Sequence, residues 1–446
     1  MDFINEYKRK LRSPDEAVRV IKSGDWVDYA VTVVQPVLLD QALARRMEEL
    51  TNVKVRGNLL FGPLEIVEKD PEQLHFTYNS WHFSPYERKL ADRGQCFFIP
   101  MIFRNLSEYY VHFLEVNVAM LAVTPMDAHG YFNLSAGTGV CRSIVEKADV
   151  VIVEINERLP RIYGGFDESI HVSEVDMIVE GVHGPLLQLP SKEPTPEDTA
   201  IAEFILPHIK NGSCLQLGIG GMPDTVGTLI AKADLKDLGM HTELCSDAYV
   251  QLYESGCLTN AKKNIFKNKG MLGIAFGTDK LYEWVNENPG IAACPLGYIN
   301  AVEVIGQIDN MVSINSCISA DLYGQVNAES SGPRHISGTG GQLDFLTGAS
   351  MSKGGKAFLC MTSTFKNKHG ELQSRILPSF KGGEIVTSPR SQAYFLATEY
   401  GIVNLVGRTT WERAEMIISL AHPDFREQLI QSAEDQGIWR KSNKRQ

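Results

Sequence analysis

The chain has no apolar run approaching the roughly 18 residues that a membrane-crossing helix needs. Its start, Met1-Asp2-Phe3-Ile4-Asn5-Glu6, lacks the basic residues and apolar stretch of a secretory leader, so the expectation is a cytoplasmic protein with no membrane partner. Positive charge is in short supply: 43 Lys and Arg stand against 54 Asp and Glu, a net charge of -11. Phosphate-dominated binding needs a surplus of cations on one face, so wholesale nucleic-acid binding is excluded. Cysteine is scattered, at 96, 141, 214, 245, 257, 294, 317 and 360. No Cys-x-x-Cys pair and no adjoining His cluster completes a zinc site, and all eight are expected as reduced, buried thiols. Also missing are a spaced G-x-G-x-x-G, a P-loop and a nucleophile elbow. His241, His422 and the turn Asp127-Ala128-His129-Gly130 have no Ser or Cys in such a setting, which removes support for a triad hydrolase.

What is present is 446 residues, 43% hydrophobic and 22% charged, enough for a large core in two or three domains. The chain also repeats itself. Ser13-Pro14-Asp15-Glu16 combines an N-cap serine, a proline at the first helical position and an acid at the third, which specifies a helix running to Ser23-Gly24-Asp25. Thr195-Pro196-Glu197-Asp198 does the same 182 positions later. Each helix is followed by an apolar strand (Val27 to Val34; Cys214 to Leu217), a proline (Pro36; Pro223) and an amphipathic segment. Further on, an apolar run leads to Asp127, Gly130 and Asn133, and another leads to Asp321, Gly324 and Asn327, at an offset of 194.

Three parallels in one order point to duplication. Strands alternating with amphipathic helices give the fold class: α/β, two similar domains with mainly parallel sheets and crossover helices. The boundary is placed in the proline- and charge-rich stretch Gln188 to Glu197, giving domains 1–190 and 191–446.

Three stretches could carry chemistry. Gly218-Ile219-Gly220-Gly221-Met222-Pro223-Asp224 sets three glycines between a short strand and a helix start, where backbone amides can approach an anion. The same glycines suit a bare strand-to-helix turn, and the residues alone leave both readings open. Ser337-Gly338-Thr339-Gly340-Gly341-Gln342-Leu343-Asp344-Phe345 is a second glycine-dense loop. Two such loops can supply amide donors from two sides of one cleft, the arrangement that stabilises an oxyanion. Glu243, in Met240-His241-Thr242-Glu243-Leu244-Cys245, has a carboxylate able to attack an activated acyl group, although most glutamates are merely solvated. The basic run Lys262, Lys263, Lys267 and Lys269 reads as a solvated face.

At these motifs, and at Thr398-Glu399-Tyr400-Gly401-Ile402 and Ala421-His422-Pro423-Asp424-Phe425, the sequence resembles the family I CoA transferases of the acetyl-CoA hydrolase/transferase group. Within that group it resembles the butyryl-CoA:acetate and 4-hydroxybutyrate CoA-transferases, with the loop wording Gly340 to Phe345 and Gly354 to Phe358 nearer the former. The similarity spans essentially the whole chain. It implies a duplicated CoA-transferase fold with the CoA site in the C-terminal domain and Glu243 as covalent carrier. Carried over by position, it implies Ile219 and Gly341 as oxyanion donors and Asn300 as the residue orienting Glu243. It further implies Gly218, Ile219, Gly220, Gly221, Met222, Ile318, Gly341 and Lys366 as CoA contacts.

The implied reaction is ping-pong transfer of CoA from a short-chain acyl-CoA, butyryl-CoA first, to acetate. It passes through a glutamyl-CoA thioester and needs no cofactor beyond the substrate coenzyme A. The implied partners are acyl-CoA and short carboxylates, and the implied assembly is a homodimer or a dimer of dimers. The alternatives are a 4-hydroxybutyrate or propionate CoA-transferase, an acyl-CoA hydrolase in which water is the acceptor, and a ligand sensor or sugar-phosphate isomerase on a related α/β fold. The last of these leaves the second glycine loop unexplained.

Overall fold

The computed structural model describes residues 3–189 and 193–442. The boundary expected at 190/191 therefore lies outside the described residues. By their packing the residues group into two compact units. One is Met1–Pro190 with Thr242–Ser246 and Lys269–Asn300; the other is Ser191–His241 with Asp247–Asn268 and Ala301–Gln446.

In the first unit seven strands form one sheet in the order Phe97–Phe98, Phe76–Ser80, Val53–Asn58, Trp26–Val31, Val118–Val123, Val150–Ile155 and Met177–Glu180. Every neighbouring pair is parallel. Parallel strands need crossovers that cover both faces, which is why Val118–Val123 is buried along its whole length.

In the second unit, taking only residues 239–241 of the strand Gly239–Cys245, the order is Gly239–Cys245, Cys214–Leu217, Met311–Ser316, Lys356–Cys360, Phe395–Thr398 and Gly401–Asn404, parallel except for the last, antiparallel pair. The two sheets share a plan. The first strand of each copy is central, flanked by the second strand on one side and by the strand that carries the Asp-Gly-Asn turn on the other.

Local structure supports the duplication residue by residue. Ser13 and Thr195 each close a capping box, with Glu16 and Asp198 as partners. Asp127 Oδ1 accepts the amides of His129 (2.8 Å) and Tyr131 (2.9 Å), and Asp321 Oδ1 accepts those of Tyr323 (3.1 Å) and Gln325 (2.9 Å). The glycines between them have matching left-handed φ values of 87° at Gly130 and 86° at Gly324, a conformation cheap only for glycine.

Three local expectations differ. The helix after Ser13 spans only Pro14–Ala17 and tightens into a 3-10 turn at Val18–Val20, where β-branched residues resist a continued helix. The strand expected to reach Val34 stops at Val31, because Thr32 takes a left-handed φ of 48° that no strand residue adopts. Lys263 is not solvated: it is 5% exposed, and its Nζ donates to Met240 O at 2.9 Å. Gly239 makes that possible, since a Cβ there would lie 2.7 Å from the lysine stem. All eight cysteines are free and buried, as expected. Among the described residues no helix is long and apolar enough to cross a membrane.

Candidate active site

Glu243 is the fifth residue of the strand Gly239–Cys245, and it is the one position there that is not fully buried. A partly buried carboxylate inside an otherwise buried strand is held, not free to rotate with solvent. The holder is Asn300, whose Nδ2 donates to Glu243 Oε2 at 2.8 Å. Asn300 is 0% exposed and ends the helix Leu296–Ile299, its own N–H donating to Leu296 O at 2.9 Å. An amide donor orients a carboxylate without neutralising it, whereas an arginine or lysine would quench its nucleophilicity.

The flanking backbone is fixed as well. Thr242 Oγ1 donates to Leu244 O at 3.0 Å, bracing the strand on either side of Glu243. A side chain at Gly273, on strand Gly270–Ala275, would place its Cβ 3.1 Å from Glu243 O and 2.5 Å from Leu296, so glycine is required for the strand to fit. The pairing of Glu243 with Asn300, 57 positions apart, is contained within the first unit.

The glycine loop of the second unit, Gly218 to Met222, follows the strand Cys214–Leu217 and opens the helix Gly221–Lys232. Gly220 is that helix's N-cap, with φ 122° and no side chain capping the first turn. Glycine offers no side chain to cap the amides of that first turn, and the helix start favours negative charge. Beneath the loop lies a buried polar triad: Ser313 Oγ donates to Gln216 Oε1 (2.6 Å), and Asn315 Nδ2 donates to Gln216 Oε1 (3.0 Å) and Ser313 Oγ (2.9 Å). A Cβ at Gly218 would lie 3.0 Å from Asn315 Oδ1, so this triad and the loop fit only with glycine between them. Ile219 is partly buried and Gly220 exposed, while Met222 is 7% exposed. Asp224, in the first turn, has its carboxyl pushed up to about 6 by burial and by Asp247.

Gly341 caps the helix Gln342–Met351 in the same manner, again with no side-chain cap, behind a left-handed Gly340 at φ 55°. Its loop is tied by Ser337 Oγ to Ala328 O (2.7 Å), Thr339 Oγ1 to Glu329 Oε2 (3.2 Å) and Gln342 Nε2 to Ser388 Oγ (3.1 Å). Both glycine loops thus end in an uncapped helix N-terminus, a likeness their spacing in the sequence does not reveal. Ile318, partly exposed, donates its N–H to Asn327 O at 2.8 Å. Lys366 is exposed on the hairpin formed by Thr364–Lys366 and Leu372–Ser374.

Of the expected site residues, then, Glu243 and Asn300 are in direct contact in the first unit, and Gly218 to Met222, Ile318, Gly341 and Lys366 belong to the second. Sequence reasoning missed Gln216, Ser313 and Asn315. Polar residues alternating in a strand of apolar neighbours were the available signal, but their partners lie about a hundred positions away.

Sequence and structural comparisons bear on this geometry. Residues 1–185 match the acetyl-CoA hydrolase/transferase N-terminal domain and residues 277–433 its C-terminal domain. The chain is 49% identical over 446 residues, all of both chains, to a protein of Anaerostipes caccae named butyryl-CoA:acetate CoA-transferase. It is 46% identical over 443 residues, 99% of each chain, to one of Syntrophomonas wolfei named probable butyrate:acetyl-CoA coenzyme A-transferase. The crystal structure of RipA from Yersinia pestis superposes with a TM-score of 0.91 at 35% identity, covering 98% of this chain and 100% of that one. With both halves matched and relatives similar from end to end, the chain belongs to the acetyl-CoA hydrolase/transferase family.

Proposed function

We propose that this protein is a CoA-transferase that moves CoA from a short-chain acyl-CoA, butyryl-CoA first, to acetate, with Glu243 as covalent carrier. The observation that carries the reading is the 2.8 Å hydrogen bond from buried Asn300 to the partly buried carboxylate of Glu243. End-to-end similarity to proteins named for butyryl-CoA and acetate supports the substrate class.

The chemistry follows from a carboxylate oriented by the amide of Asn300. Glu243 attacks the thioester carbonyl, the tetrahedral oxyanion collapses, and the C–S bond breaks to release CoA thiolate and leave a mixed anhydride. The thiolate then attacks the Glu243 carbonyl and expels butyrate, giving a glutamyl-CoA thioester. Acetate attacks that thioester, the thiolate is released again, and its attack on the acetyl carbonyl yields acetyl-CoA and regenerates the Glu243 carboxylate. Each tetrahedral step carries an oxyanion, for which the amides of Ile219 and Gly341 are the proposed donors; losing one such donor typically costs about a hundredfold or more in rate. Gly218 to Met222, Ile318 and Lys366 are the proposed contacts to CoA.

The test is intact-protein mass and activity after butyryl-CoA and then borohydride, on the wild type and Glu243→Ala. Borohydride reduces an enzyme thioester to an alcohol. Inactivation with a mass change confined to the wild type, prevented by acetate added first, is expected. A wild type that turns over yet stays unmodified would remove the covalent carrier, and turnover without any carboxylate acceptor would make the protein a hydrolase.

A further inference from the structure

Ile318 and Lys366 are joined through a single side chain, Arg375. Its Nη1 donates to Ile318 O at 3.0 Å, and its Nε donates to Thr364 O at 3.4 Å, two residues before Lys366 on the same strand. The guanidinium also lies 5.0 Å from the centre of the Phe365 ring, between those two residues. Its backbone is equally committed: Arg375 N donates to Ser363 O at 2.8 Å, and Ala320 N donates to Arg375 O at 3.0 Å. One residue therefore spans the Ile318 segment and the base of the Lys366 hairpin through both side chain and main chain.

Ser363, fully buried, anchors the other end. Its N–H donates to Glu399 Oε2 at 2.8 Å and its hydroxyl to Glu399 Oε1. Glu399 thus gathers the hairpin base onto the turn between strands Phe395–Thr398 and Gly401–Asn404. That turn is the motif Thr398 to Ile402, which the reaction itself does not employ. A planar fork with fixed donors can hold two carbonyls at a set separation, and a lysine, a single flexible point charge, cannot.

We propose that Arg375, buttressed by Glu399 through Ser363, is a positioning residue for coenzyme A. It fixes the Ile318 backbone relative to the Lys366 hairpin and so sets the fit of CoA without taking part in the chemistry at Glu243. The inference rests on the reading that Ile318 and Lys366 contact CoA, and the test separates the two.

The test measures free CoA binding by calorimetry, the KM values for butyryl-CoA and acetate, kcat and thermal stability, for Arg375→Gln, Arg375→Lys, Glu399→Gln and Lys366→Ala. Losing charge-assisted hydrogen bonds at Arg375 is expected to weaken CoA binding and raise the butyryl-CoA KM roughly tenfold or more, with kcat and the acetate KM within about twofold. Arg375→Lys should fall between Arg375→Gln and the wild type. Should Arg375→Gln fail to fold, Glu399→Gln, which keeps the shape and removes the charge, should show a smaller shift of the same selective kind. Weaker CoA binding in Lys366→Ala with no change in the Arg375 and Glu399 variants would overturn the positioning role. CoA binding untouched in Lys366→Ala would overturn the contact reading and the proposal with it. Equal losses toward both substrates would reveal a general packing defect and also overturn it.

Discussion

At the scale of single residues, the site turns on the amide of Asn300 held against the carboxylate of Glu243. Asn300→Ala removes a hydrogen bond to a charged group, typically about 1.5–3 kcal/mol, so kcat should fall about ten- to a hundredfold. Asn300→Asp makes a sharper prediction. A second carboxylate at that separation disfavours ionisation of both, and the pair binds a proton at higher pH than either acid alone. The acid limb of kcat/KM against pH should therefore move upward by roughly one unit or more in Asn300→Asp but stay in place in Asn300→Ala. An unmoved limb in the aspartate variant would mean that the carboxylate at Glu243 is not the group whose ionisation limits activity. The contact was anticipated only through the family resemblance, because the two partners lie 57 positions apart and neither carries a local pattern.

Among the elements, the first unit uses buried carboxylates at its helix starts. Glu154 Oε2 accepts the amide of Leu39 (2.9 Å) at the start of helix Val37–Arg45, whose own N-cap is a proline. Asp40 Oδ2 accepts Glu65 N (2.6 Å) at helix Glu65–Glu68, and Glu87 closes the capping box of helix Pro85–Asp92 by accepting Ser84 N (2.7 Å). Burial pushes all three carboxyls up to about 7, against hydrogen bonds that pull them down. A folded-state value above the unfolded one stabilises fully at low pH and loses that contribution as pH rises through the folded value, here between about 4 and 7. The urea midpoint should accordingly be lower at about pH 8 than at about pH 5.5, and Glu154→Gln, which keeps an acceptor for Leu39 N, should flatten the difference. A midpoint that climbs toward pH 8 would contradict this. Helix starts were legible from Ser13 and Thr195 because a capping box is local. Glu154, 115 positions from Leu39, was not, and Lys263 was misread because burial of a long stem against Gly239 leaves no mark in a charge pattern.

For the whole molecule, the duplication was legible because it repeats turn chemistry, which depends on adjacent residues: Asp127 with Gly130, Asp321 with Gly324. What the linear reading could not show is that chain order and packing part company. Thr242–Ser246 and Lys269–Asn300 pack with the first unit although they follow it by many residues. The fit is close. Phe61 packs against Phe276 with ring centres 4.5 Å apart and the rings tilted by 43°, a Cβ at Gly139 would lie 2.7 Å from Gly273 O, and one at Gly165 would lie 1.7 Å from Ala293 O. A fragment ending at residue 190 loses every one of these partners and exposes the apolar surface they cover, at about 25 cal/mol for each Å² uncovered. Fragment 1–190 should therefore lack a cooperative thermal transition and be cut by protease much faster than the intact chain. Restoring 242–300 in one polypeptide should recover the transition. A fragment 1–190 that melts cooperatively with native-like near-ultraviolet circular dichroism would show instead that the later segments add to a core already complete without them.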